Sequence, residues 1–361
     1  MNLESIGADA HVHGAFQTYA AQGLSLARVA ISHRDHYRLY TEGGEIAGEP
    51  AGVLWHRCAD AADLPVVGDW VAARIAAPDY AVVEAVLPRR SCFARRAAGK
   101  PDRRQPIAAN IDVAFLVCGL DGDFNLRRLE RYLTLAAESG VTPVIVLNKA
   151  DLCGDLAERR RETAAVAGAA PVVALSALAD AGVDPLHAFL GAGRTVALLG
   201  SSGVGKSTIV NRLLGGEHFH TSAVRESDSR GRHTTTHREL VPLPAGGALI
   251  DTPGMRELQL WAGQGSVDEV FDEISALAAQ CRFGDCTHQV EPGCAVQAGL
   301  ADGSVSEERW ENYRKLMGEA RRHEALADAQ VAIERKKKLK TMMKGLRRFY
   351  QLEGKLKHAP P

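Results

Sequence analysis

Apolar and polar positions alternate over short runs between Leu26 and about Leu87. Ala27–Ile31, His36–Tyr40, Gly52–His56, Asp69–Arg74 and Tyr80–Leu87 each read as a strand. Thr41–Pro50 and Leu64–Gly68 read as the turns between them. Five short strands in so little chain predict a small barrel, with an OB-fold ahead of an SH3-like alternative. The preceding residues show little periodicity and read as a loose extension.

From Ile111 the texture changes. Buried-strand runs at Ile111–Cys118, Val144–Leu147, Val172–Leu175, Thr195–Leu199 and Ala248–Ile250 alternate with helical stretches such as Leu126–Glu138 and Lys206–Leu214. This pattern predicts a mostly parallel sheet with helices on both faces. Beyond Gly265 the chain reads as helical, with Ser304 and Glu307 spaced as a capping box before a long final helix. The expected organisation is an extension over 1–24, an OB-fold RNA-binding domain over 25–97, a basic linker over 98–108, an α/β P-loop domain over 109–264, and a helical domain with a basic tail over 265–361.

Composition and charge narrow the function. The chain has 361 residues, 46% hydrophobic and 24% charged, which excludes bulk disorder. No apolar run approaches the ~18 residues of a membrane span. The acidic start lacks the apolar core of a secretory signal, so a cytoplasmic protein without membrane attachment is expected. Net charge is −1, yet from Arg335 onward ten Lys/Arg face one Glu, a local balance of +9. That tail and the basic run Arg89–Arg104 suit an RNA partner. Seven cysteines, an odd number, argue against a disulfide framework.

The chemistry lies in four motifs. Gly200-Ser201-Ser202-Gly203-Val204-Gly205-Lys206-Ser207, followed by Thr208, matches a phosphate loop between a strand and a helix. Its backbone N–H groups suit the β-phosphate, Lys206 the β/γ oxygens, and Ser207 a Mg²⁺ ion. Asn148-Lys149-Ala150-Asp151 follows a strand at the carboxyl edge of the sheet. An ionised Asp151 there accepts from guanine N1–H and N2–H₂, which adenine lacks, and the Lys149 stem covers the ring. The backbone of Ser176-Ala177-Leu178 is placed for guanine O6. In Asp251-Thr252-Pro253-Gly254, Asp251 suits water-mediated Mg²⁺ binding and the Gly254 N–H suits the γ-phosphate. Upstream, Thr235, with Thr234 and Thr236 as alternatives, is a candidate metal ligand. Met255 stands where many GTPases carry the glutamine that orients water, so intrinsic hydrolysis is expected to be slow. His233 is the candidate to position that water, ahead of Arg232 and Arg230.

Cys281, Cys286, His288 and Cys294 supply three thiolates and an imidazole within 14 residues. Four such donors suit one tetrahedral structural Zn²⁺ with no open catalytic position.

The order of motifs is unusual, because Asn148–Asp151 and Ser176–Leu178 precede the phosphate loop and Asp251–Gly254 comes last. This is a circular permutation, and it leads the last motif directly into the C-terminal domain. With Pro65–Trp70, Leu87–Ser91, Gly231–Thr236, the cysteine cluster and Arg309–Tyr313, the chain resembles the RsgA (YjeQ) family of circularly permuted bacterial GTPases over almost its whole length. The resemblance implies an OB-fold, a permuted GTPase domain and a zinc-binding C-terminal domain. It further implies GTP hydrolysis to GDP stimulated by the 30S ribosomal subunit, late in that subunit's maturation, with contacts to 16S rRNA by a monomer. Two other readings are an RNA-binding assembly scaffold holding GTP as a structural ligand, and a P-loop kinase. The guanine motif and the lack of a dedicated acceptor pocket speak against the kinase.

Overall fold

A computed structural model of the chain describes residues 1–33, 36–57, 64–97, 100–216, 238–251 and 262–356; over 96–104 and most of 327–356 it describes the backbone alone. The residues expected to be a loose extension form a short 3₁₀ turn, Glu4–Ile6, and helix α1 (Ala10–Ala20). Asp9 caps α1 by accepting from the Val12 N–H at 3.0 Å. Leu3, Ile6, Ala8 and Val12 are buried, and this apolar anchor was masked in the sequence by the surrounding polar and small residues.

The barrel comprises β1 (Ser25–His33), β2 (His36–Thr41), β3 (Gly44–Pro50), β4 (Trp70–Ala77) and β5 (Tyr80–Val86), with α2 (Gly52–Arg57) between β3 and β4. Strand order is β1-β2-β3-β5-β4, closed by β1 against β4, with β3 and β5 parallel. This is a closed five-stranded OB-type barrel. The strand expected at Gly52–His56 is instead α2, and the third strand lies in the segment read as a turn. Only Glu42 and Gly43 turn there. Glu45–Glu49 alternates exposed and buried, and Gly48 lets the strand pass close to Leu39 Cδ1, which a Cβ would meet at 2.7 Å.

Most of the segment expected as a linker, 98–108, lies in β7 (Lys100–Ala109), which pairs as a two-stranded ribbon with β6 (Cys92–Ala97). Next come β8 (Val113–Gly119), α3 (Leu126–Ser139), β9 (Thr142–Asn148), α4 (Leu156–Ala167), β10 (Val172–Ala174), β11 (Thr195–Leu199), α5 (Lys206–Leu214), β12 (Glu239–Pro242) and β13 (Ala248–Asp251). Their order is β10-β9-β8-β11-β13-β12, all parallel except β12. One face packs on α3, through Leu129, Tyr132 and Leu133. The other packs on α5, through Ile209, Val210 and Leu213. Both faces are therefore covered, which is why these strands read as continuous apolar runs.

Ile31 of β1 pairs with Glu239 of β12, so barrel and α/β sheet are continuous. At this junction Arg28 is fully buried. It donates to the carbonyls of Ile6, Gly68 (3.3 Å) and Asn110 (3.2 Å) and to Thr195 Oγ1 (2.8 Å), and it lies 5.0 Å from the Trp70 ring centre. Burial pulls its guanidinium down to about 10. The chain ends in α6 (Gln264–Val270), α7 (Asp272–Ala278), α8 (Ala295–Ala301) and α9 (Glu307–Leu356). The start of α9 is fixed by Ser306, whose Oγ accepts from the Arg309 N–H at 3.2 Å. Ser304, the expected cap, donates its hydroxyl to Gly299 O at 3.1 Å instead.

Candidate functional site

The phosphate loop is held by a fully buried strand of the sheet. All five residues of β11 are buried between β8 and β13, and the chain leaves its carboxyl end through Gly200–Gly205 into α5. Gly203 and Gly205 have φ of +78° and +100°. A Cβ on Gly205 would lie 2.2 Å from Asn148 Nδ2, and one on Gly200 2.6 Å from Val117 O, so no side chain fits at either position. Ser201 and Val204 are buried, while Ser202 and Gly203 are exposed at the tip. Lys206 folds over the loop and donates to Gly200 O (2.9 Å) and Ser201 O (2.8 Å). Burial pulls its ammonium below its ordinary range, while Asp251 and Asp123 pull it back up. Ser207 and Thr208 stand on the first turn of α5, and buried Asp251 ends the neighbouring β13, opposite Leu198 of β11.

Asn148 draws the scattered motifs together. Its Nδ2 donates to Val204 O of the phosphate loop at 2.8 Å, and its Oδ1 accepts from the Ala177 N–H at 3.0 Å. One buried amide thus joins the ends of three segments. Arg212 of α5 adds a second tie, donating to Ala177 O and Leu178 O, both at 3.0 Å. Ser176 closes its turn by backbone pairing with Ala181. Lys149 has φ of +64°, which turns the chain out of β9 and leaves Asp151 exposed in a 3₁₀ turn. Lys149 Nζ lies 2.5 Å from Asp121 Oδ2.

Asp121 and Asp123 were not singled out in the sequence, although two acids immediately after a buried strand at the sheet's carboxyl edge were the available signal. Asp123 accepts the Ser201 hydroxyl and pairs with Arg128 Nη2 at 2.9 Å. Of the expected switch residues only Asp251 is described. Arg230, Arg232, His233, Thr234, Thr235, Thr236, Gly254 and Met255 lie outside the described residues.

The cysteine cluster converges as its donor set requires. The ligand atoms of Cys281, Cys286, His288 and Cys294 all lie within 4.8 Å of one another. His288 Nδ1 is 3.5 Å from both Cys281 Sγ and Cys294 Sγ, which are 3.9 Å apart. Zn–S and Zn–N bonds of about 2.3 and 2.0 Å give tetrahedral edges of roughly 3.5–3.8 Å, so the residues present fit one zinc ion. The loop is built to present them. The Glu291 carboxylate accepts from the N–H groups of Thr287 (2.8 Å), Gln289 (2.9 Å) and Val290 (3.0 Å). Gln297 holds His288 O at 2.7 Å, and the Cys294 sulfur caps α8. Burial lowers the His288 imidazole, favouring the neutral form that ligates metal.

The metal module docks on α3. Arg309 Nη1 meets Glu130 Oε1 at 2.7 Å and also pairs with Glu273, while Asn312 donates to Glu130 Oε2. Arg131 meets Glu319 at 2.7 Å and Arg127 meets Glu311 at 3.0 Å. Burial raises the Glu130 carboxyl against the opposing pull of Asn312 and Arg309.

One part of the expected basic surface has another use. Arg89 forms a bidentate pair with fully buried Asp69, at 2.8 and 2.7 Å, and Arg90 meets Asp9 at 2.6 Å. Arg89 braces the entry to β4 and Arg90 ties to the cap of α1, so neither side chain lies free. No helix among the described residues is long and apolar enough to cross a membrane.

Comparison with known proteins agrees with this geometry. Residues 86–261 match the family model for the RsgA GTPase. The chain is 47% identical to the small ribosomal subunit biogenesis GTPase RsgA of Opitutus terrae, across 98% of this chain and all of that protein. It is 41% identical to the RsgA of Syntrophotalea carbinolica, across 98% and 99%. Among solved structures it resembles YjeQ from Thermotoga maritima, with a TM-score of 0.61 and 26% identity over 82% of this chain and 98% of that one. YloQ, described as a circularly permuted GTPase, shares the fold with a TM-score of 0.56 and 22% identity over 82% and 95%. An Asn148-centred meeting of the motifs, a permuted motif order and 41–47% identity over 98% of the chain converge on one conclusion: the chain belongs to the RsgA family of circularly permuted GTPases.

Proposed function

We propose that this protein hydrolyses GTP to GDP and phosphate during late maturation of the 30S ribosomal subunit. In this reading it acts in the cytoplasm as a monomer, binds 16S rRNA and is stimulated by the small subunit. The observation that carries the nucleotide part is the Asn148 side chain, bonded at once to Val204 of the phosphate loop and Ala177 of the neighbouring turn. A guanine base set against that joint meets the exposed Asp151 carboxylate, the Lys149 stem and the Ala177 backbone.

The loop amides from Gly200 to Lys206 receive the phosphates. Lys206 exchanges its two loop carbonyls for β/γ oxygens and stabilises charge developing there. Ser207 and a switch threonine, Thr235 first, would hold Mg²⁺, with Asp251 reaching it through water. When bound, Mg²⁺ neutralises charge on the β- and γ-phosphates. The Gly254 N–H binds the γ-phosphate and His233 orients the attacking water, since Met255 has no group to do so. Cys281, Cys286, His288 and Cys294 would hold a zinc ion that stabilises the module next to α3. The barrel and the basic tail after Arg335 supply phosphate contacts.

The test is hydrolysis of GTP and ATP by the full chain, with and without 30S particles. The expected result is slow turnover of GTP alone, accelerated by 30S and weakened by salt. Unchanged turnover with 30S removes the ribosomal part, and equal use of ATP removes the guanine site.

A further inference from the structure

The turn after β8, Leu120–Asn125, touches the phosphate loop and opens α3. The Asp121 carboxylate accepts from the Asp123 N–H at 3.1 Å. The Asp123 carboxylate accepts the Ser201 hydroxyl and lies 2.9 Å from Arg128 Nη2, while the same guanidinium donates to Asp123 O. The buried Nε of Arg128 finds no acceptor among the described residues, so Asp123 is the anchor of that side chain.

Arg128 lies in the first turn of α3, which Asn125 caps by accepting the Arg128 N–H at 2.9 Å. The same turn carries the docking contacts of the metal module: Arg127 to Glu311, Glu130 to Arg309 and Asn312, Arg131 to Glu319. Glu130 is 2% exposed, and a buried charge whose partner moves away is costly to leave behind. The turn from Arg127 to Arg131 is thereby fixed on one side by the module and on the other holds the acid at the phosphate loop.

We propose that Asp123 is a positioning residue of the phosphate loop, and that Arg128 makes nucleotide release depend on how the metal module is seated on α3. An unneutralised carboxylate beside bound phosphates repels them. Seated, the module holds Arg128 on Asp123 and the pair is neutral. Displaced, it lets Arg128 leave, exposes the negative charge and speeds release. The proposal rests on the assignment of nucleotide to Gly200–Ser207.

Charge gives it a sign that a mere brace would not have. Arg128→Gln leaves Asp123 bare, and GDP release accelerates by about threefold or more, the scale of one partly screened pair. Asp123→Asn leaves Arg128 unpaired beside the phosphates, and release slows. Arg128→Lys keeps the charge and stays near the wild-type rate. Glu130→Gln, which loosens the docking, accelerates release in the wild-type background and adds nothing to Arg128→Gln.

The measurement is stopped-flow displacement of fluorescently labelled GDP from the zinc-loaded full chain without ribosomes. Failure of the wild type to bind labelled GDP overturns the site assignment and the proposal with it. Binding followed by acceleration in both Arg128→Gln and Asp123→Asn shows a brace alone and overturns the proposal. So do unchanged rates, or additive effects of Glu130→Gln and Arg128→Gln. Opposite signs with rescue by lysine and no additivity establish it.

Discussion

The two sites of this protein are assembled in opposite ways. The nucleotide site gathers residues from 119 to 251 at one edge of a sheet buried on both faces. Its parts are held by strands whose packing does not depend on ligand. The candidate metal site draws its donors from 14 consecutive residues, packed over a core of nine buried apolar residues besides Cys294. There the donors themselves tie the loop. The first site should keep its scaffold when a functional group is removed. The second should lose its structure with its ion.

The sharpest way to break that contrast is to remove the metal. Chelation, or Cys286→Ser, is expected to unfold the module around residues 281–300, since small metal modules fold on their ion. Trp310, whose ring centre lies 5.9 Å from that of His288, reports it by fluorescence, and metal analysis should find one zinc per chain before treatment. Labelled GDP should still bind with affinity within about tenfold of the holo form, a range set by the modest coupling between distant sites. Retained Trp310 emission after complete zinc loss would erase the difference between the two regions.

Next in size is Lys206→Ala. The loss of a cation at developing charge should lower kcat/KM for GTP by about a hundredfold or more. The far-ultraviolet circular dichroism and melting temperature should stay close to wild type, because among the described residues Lys206 donates to the loop it crosses. Asp151→Asn should then reduce the preference for GTP over ATP by about a hundredfold, measured as a ratio of kcat/KM values. Its exposed position predicts little change in stability. A large loss of folding in either variant would mean that the nucleotide site, too, is held together by its functional groups.

How much of this was legible in the sequence follows the same division. Buried parallel strands announce themselves by continuous apolar runs, and Thr195–Leu199 and Lys206–Leu214 have the bounds that their pattern predicts. The metal ligands are legible because donor type and spacing are local facts. The barrel was less legible because its third strand, Gly44–Pro50, is rich in glycine and acid, and its alternation is set by a barrel interior that only the fold creates. Arg28, Arg89 and Asp123 were hidden for a related reason. Arg28 and Arg89 take their roles from partners 20 or more residues away, and Asp123 reaches the phosphate loop only through Ser201, 78 residues on, so only its place after a buried strand marks it.

The smallest expected effect concerns the seam between the two regions. Burial alone would raise the Glu319 carboxyl, but the Arg131 guanidinium outweighs it and holds the group below its ordinary value. A folded-state value below the unfolded one means that the Arg131–Glu319 pair contributes stability above about pH 4.5 and loses it as pH falls through the lowered value. Glu130 shifts the other way, so acid does not penalise it in the same range. The wild type should therefore melt above Glu319→Gln by only about 1–2 °C at pH 7, since the pair is partly exposed to solvent and screened. The gap should close as acid titrates Glu319 through its lowered value. A Glu319→Gln gap that widened in acid would mean that the carboxyl is raised, and that the seam is held by packing rather than by charge.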